Sequence, residues 1–97
     1  MSGVSESSSI LELGFVVATP GALQVLETAG QSADEFLARH EAGDWGELGE
    51  ADWGENGLSL REGFRILSTY ILRTGVKIWI ITEADRSATT VLLPEEY

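Results

Sequence analysis

FRILSTYILRTGVKIWIIT, residues 64–82, decides the fold. Phe64, Ile66, Ser68, Tyr70 and Leu72 alternate with Arg65, Leu67, Thr69, Ile71 and Arg73, the period of a strand with one face turned to a core. Thr74-Gly75 interrupts the run with a turn pair, and VKIWIIT (76–82) follows at once as a second strand. After the polar connector EADRS (83–87), ATTVLL (88–93) supplies a third, ended by Pro94. Short connections between three strands predict an antiparallel meander.

Upstream, the period changes. ILELGFVVA (10–18) is apolar and rich in strand formers, which predicts an N-terminal strand with Gly14 at a bulge or close approach. Thr19-Pro20 is a helix start, because the hydroxyl caps free N–H groups and proline fits the first helical position. Ala22, Val25, Leu26 and Ala29 then recur at helical spacing until Gly30, predicting a helix over 20–29. Ser32 and Glu35 have capping-box spacing for a second helix over 32–42, on which Ala33, Phe36, Leu37 and His40 share a face. The expectation is one α+β domain over residues 10–97. It consists of an N-terminal strand, two helices, an acidic connector, then a three-stranded antiparallel meander packed on the helices. Residues 1–9 (MSGVSESSS) read as a flexible tail.

Composition narrows the function classes. A 43% hydrophobic content over 97 residues is that of a folding chain. With no cysteine, disulfides, thiolate metal sites and cysteine nucleophiles are excluded. Residues 1–9 lack the basic and apolar regions of a signal peptide, and apolar runs such as 78–81 are too short to cross a bilayer. A cytoplasmic protein without membrane contact is expected. Sixteen acids against six bases give a net charge of -10, a field that repels phosphate. Direct nucleic-acid binding is therefore disfavoured, and a protein partner with a basic surface is favoured. The sequence also permits a homodimer through a sheet edge. Phosphate loops, nucleophile elbows, HExxH and dinucleotide fingerprints are all missing from the sequence, so no cofactor is implied.

GFVVATPGAL (14–23), RHEAGDWG (39–46) and KIWIITEADRSATTVLLPEEY (77–97), taken as a set, resemble small bacterial proteins met on plasmids and integrative elements, often called plasmid-related proteins. The likeness covers most of the chain beyond Leu13. It implies a mobile-element context and no known reaction. A type I restriction label attached to some members does not fit a chain of 97 residues.

Residues 41–60 carry six acids and no Lys or Arg, and they spell DWGE twice, at 44–47 and 52–55. Leu48, Ala51 and Asp52 fit a short helix ended by Asn56-Gly57, which Gly46, Gly49 and Gly54 weaken. Asp44, Trp45, Glu47, Glu50, Asp52, Trp53 and Glu55 form the candidate partner-binding surface. Its carboxylates could imitate a row of phosphates to a basic groove, and its tryptophans could anchor the contact. Trp79 shares a strand face with Lys77 and Ile81, which predicts core or a seam against a partner.

The competing reading is a small toxin-like ribonuclease. His40 precedes Asp44 by four residues, so a continuous helix would bring the imidazole and carboxylate together, and Arg86 in the connector 83–90 would stabilise phosphate charge. Against this, Asp, Arg and Ser are ordinary turn residues, and His40 on the Phe36 and Leu37 face fits a packed histidine bonded to backbone. No metal site is expected. One His without Cys is a poor zinc set, and the acids do not follow the EF-hand pattern.

Overall fold

The computed structural model describes residues 10–97; the tail expected at residues 1–9 lies outside the described residues. The elements in chain order are β1 (Phe15–Ala18), α1 (Pro20–Ala29), α2 (Ala33–Glu41), α3 (Glu50–Glu62), β2 (Ile66–Ile71), β3 (Lys77–Thr82) and β4 (Ala88–Leu92). A short 3-10 turn, Pro94–Glu96, closes the chain. The strands form one sheet in the order β1-β4-β3-β2. β2, β3 and β4 pair antiparallel as the alternation predicts, with Ser68 opposite Ile80 and Ile80 opposite Val91. The α+β class stands, but the sheet is four-stranded and mixed, because β1 joins β4 in parallel.

Alternation assigns the faces. Ile66, Ser68, Tyr70 and Leu72, with Ile78, Ile80 and Thr82, and with Thr89 and Val91, are all buried on one side. There they meet Ala22, Leu26 and Ala29 of α1 and Phe36 and Leu37 of α2. A second cluster, Leu11, Trp45 and Ile66, takes in Leu13, Leu48 and Leu60 at its margin. Trp79 belongs to neither cluster. It lies half-buried on the opposite face, where Tyr97 meets it edge-on with ring centroids 5.7 Å apart. The expectation of a core Trp79 is corrected accordingly.

Local expectations fare unevenly. Thr19 caps α1 by accepting the Ala22 N–H at 3.1 Å, and Gly30 ends that helix in the left-handed region. Ser32 caps α2 through the Asp34 N–H, but there is no capping box, because the Glu35 carboxylate accepts from Gln31 Nε2 instead. The N-terminal strand shrinks from 10–18 to Phe15–Ala18, since Leu11 leaves the sheet for the second cluster. Gly14 has φ +65°, and a Cβ there would collide with the carbonyl oxygens of Arg86 and Ser87. This is the close approach that its position signalled.

The largest departure is the connector. Residues expected to form at most a short helix ending at Asn56-Gly57 build thirteen-residue α3, running through Gly54, Asn56 and Gly57 to Glu62. Two interior glycines cost about 1 kcal/mol each relative to alanine. Tertiary bonds offset that cost: Asn56 Nδ2 donates to the Leu67 carbonyl at 2.6 Å, and Arg86 Nη2 donates to the Ser59 carbonyl at 3.1 Å near the helix end. No helix among the described residues is long and apolar enough to cross a membrane.

Candidate functional site

The loop from α2 to α3 buries one residue of the expected binding surface, Trp45, and pairs another, the half-exposed Asp44, with an arginine. α2 stops at Glu41, so Asp44 swings away from His40 and toward Arg39, which donates from Nε at 2.8 Å. That hydrogen bond is the largest effect and holds the Asp44 carboxyl below its usual range; burial, the second, opposes it, and the Gly46 N–H and the guanidinium charge add to it. Arg39 also lies over the Tyr70 ring at 4.7 Å, and Tyr70 Oη donates to the Asp44 carbonyl at 2.6 Å. Burial pushes the Tyr70 phenol up to about 12, so it stays a donor throughout the physiological range. Asp44 is thus the clasp of its own loop. Trp45 is 3% exposed and wedged edge-on against His40, so it is a core residue and not a partner anchor.

Beyond Trp45 the chain runs beside β2. Gly46 bridges Thr69 in parallel, the Glu47 N–H donates to the Thr69 carbonyl at 2.7 Å, and the Thr69 N–H donates to the Trp45 carbonyl at 3.1 Å. Only glycine fits at position 46, since φ is +73° and a Cβ would strike the Thr69 oxygen.

The remaining acids are exposed. Glu47 lies in the loop, and Glu50, Asp52 and Glu55 lie on α3. Asp52 and Glu55 border an open groove of about 220 Å³ between α3 and β2, which also touches Leu48, Asn56, Ser59, Arg65 and Leu67. Arg65 does not reach across to those acids. Its Nη1 donates to Tyr97 Oη at 2.6 Å, and its Nη2 sits 3.4 Å from Glu83. Trp53 is 38% exposed and rests edge-on against Trp45. At roughly 100° per helical residue, Trp53 lies about 160° around α3 from Glu55. Asp52 lies only about 100° from Trp53 and Asn56 about 60°, so the groove and the exposed tryptophan occupy adjacent faces of one helix.

His40 and Arg86 belong to separate networks. His40 is fully buried. Its Nε2 lies 2.9 Å from Thr82 Oγ1, its Nδ1 is 2.5 Å from Ser68 Oγ, and Thr82 continues to Thr89 Oγ1 at 2.7 Å. Thr89 in turn donates to the Leu13 carbonyl at 2.7 Å. The partners are side-chain hydroxyls rather than the backbone groups expected. Desolvation lowers the His40 pKa to about 4, leaving the ring neutral. Arg86, at φ +61°, spends its guanidinium on the carbonyls of Phe64, Glu83, Ala84 and Ser59. It fastens the 83–87 turn to the end of α3, and no bond joins it to His40.

Several of these residues were legible only in part. Ser68, Thr82 and Thr89 stand at core-facing strand positions, and polar residues there are the mark of a buried network. Asn56 gave the opposite signal, because Asn-Gly reads as a turn. Among the described residues, no three of His, Asp and Glu converge where a metal ion could be held. Compared with known proteins, the chain matches no protein family, no curated protein and no solved structure.

Proposed function

We propose that this is an acidic protein-binding module of the cytoplasm that engages a basic, nucleic-acid-handling partner, as an accessory of a mobile element and as a mimic of DNA charge. One observation carries the reading: Asp52 and Glu55 border the α3–β2 groove while the ion pairs among the described residues are Arg39–Asp44 and Arg65–Glu83. Glu47, Glu50, Asp52 and Glu55 thus keep their charge for a partner. Leu48 and Leu67 line the same groove. Together they suit a Lys or Arg side chain, whose aliphatic stem lies along apolar surface while its head meets carboxylate.

The contact surface is accordingly Glu47, Glu50, Asp52 and Glu55, with Trp53 on the adjacent face of α3 as an aromatic contact. Charge sets the encounter rate, so association weakens with salt over a screening length of about 8 Å at physiological ionic strength. The test is affinity isolation from a bacterial host, identification of the retained protein, and titration of that partner against the wild type and a variant with Glu47, Glu50, Asp52 and Glu55 changed to Gln or Asn. An affinity indifferent to both salt and the replacement would overturn the proposal and leave the acidity as a solubility device.

A further inference from the structure

The two edges of the sheet are unlike. On β2 the outward-facing residues are Leu67, Thr69 and Ile71, and the first two are already occupied. Asn56 takes the Leu67 carbonyl, and the Trp45–Glu47 segment takes both backbone groups of Thr69. On β1 the Phe15 N–H donates to Ser87 and the Thr19 N–H to Val91, so alternation turns the N–H and C=O of Val16 and Ala18 away from the sheet. No other described segment pairs with them. The side chains here are apolar and open: Phe15 is 80% exposed, Val16 44% and Val17 50%. Sheet edges are usually protected by brevity, charge, a bulge or proline, and β1, at four residues, has only the first.

The geometry points to β1 as the pairing edge of a symmetric homodimer, in which the β1 strands of two copies lie antiparallel and join the sheets into one of eight strands. The charge distribution selects a second copy as the occupant. Residues 13–26 contain no charged side chain, although the chain as a whole carries 22. Two molecules of charge -10 can approach closely only where neither presents carboxylates, and β1 lies within that neutral stretch. Pairing Val16 with Ala18 of the second copy satisfies both edge residues in both chains. It also sets Val17 against Val17 of the second copy on the face opposite the helices, with Phe15 nearby. Residues 1–9 are a poor alternative cover, with only Met1 and Val4 apolar.

Sedimentation velocity on the full chain, from micromolar to millimolar, tests the proposal. The expected mass is twice 10.5 kDa at the upper end. Association should strengthen with salt, the opposite sign to binding of a basic partner, because salt screens the repulsion between copies. Val16→Pro removes only an outward N–H and leaves the β1–β4 ladder intact, so it should halve the mass while circular dichroism stays that of the wild type. Val17→Lys should do the same through its side chain, and it decides alone if Val16→Pro does not fold. A wild-type protein at monomer mass throughout would overturn the inference, as would a dimer that tolerates Val16→Pro in a folded chain.

Discussion

His40 Nε2 lies 2.9 Å from Thr82 Oγ1, and that contact fixes the tautomer of the buried ring. Thr89 gives its only proton to the Leu13 carbonyl, so it must accept from Thr82. Thr82, having spent its proton, accepts from His40. The ring is therefore the neutral Nε2–H tautomer, and its Nδ1 accepts from Ser68 Oγ. A second ring proton would face the Ser68 hydroxyl and break this order.

The first prediction follows from that chain. The folded pKa of His40 is lowered to about 4 against 6.5 for the free side chain, so the unfolded state binds the proton first. The stabilisation is complete above pH 6.5, falls as pH drops through the window to 4, and is gone below it. The loss is about 3 kcal/mol across the window. Urea unfolding at stepped pH measures it, and the His40 imidazole nitrogen shifts should report one protonated nitrogen down to about pH 4. Ordinary titration of the ring near pH 6.5 would contradict the buried network.

Glycine substitutions should divide by sign. Gly46→Ala puts a Cβ against the Thr69 oxygen at a positive φ and should cost roughly 1–3 kcal/mol. Gly54→Ala and Gly57→Ala meet nothing within 4 Å on a helix and should each stabilise by about 0.5–1 kcal/mol. Thermal melts of the three single variants check both signs.

Asn56 is the link that holds α3 to the sheet. Asn56→Ala leaves the Leu67 carbonyl and N–H without their partner and should cost about 1–3 kcal/mol. Hydrogen exchange should show amides of α3 losing protection before those of β3, because α3 buries little apolar surface besides Leu60.

Asp44 and Asp52 should separate stability from binding. Asp44→Asn weakens the Arg39 pair, which is partly exposed, so the cost should stay within about 1 kcal/mol, with no change in partner affinity. Asp52→Asn combined with Glu55→Gln should leave the melting temperature nearly unchanged and weaken partner binding, as measured by calorimetry at low and high salt.

Sequence by itself determined the pieces whose causes are local. Alternation from Phe64 to Leu93 gave β2, β3 and β4 and their antiparallel pairing, because a period of two admits only one inward set. The Thr19-Pro20 start and the Gly30 stop bounded α1, since capping is chemistry among neighbours. The Phe36, Leu37 and His40 face came from helical spacing. Tertiary structure alone decided the rest, where the determining partner is distant in the chain. α3 exists against its own glycines because Leu67 and Arg86 reach it from the sheet and the turn. β1 joins β4 across some seventy residues, a pairing that no local pattern encodes. The site changed for two reasons: the end of α2 at Glu41 turns Asp44 back onto nearby Arg39, whereas Trp45 enters a core made with the distant Leu11 and Ile66.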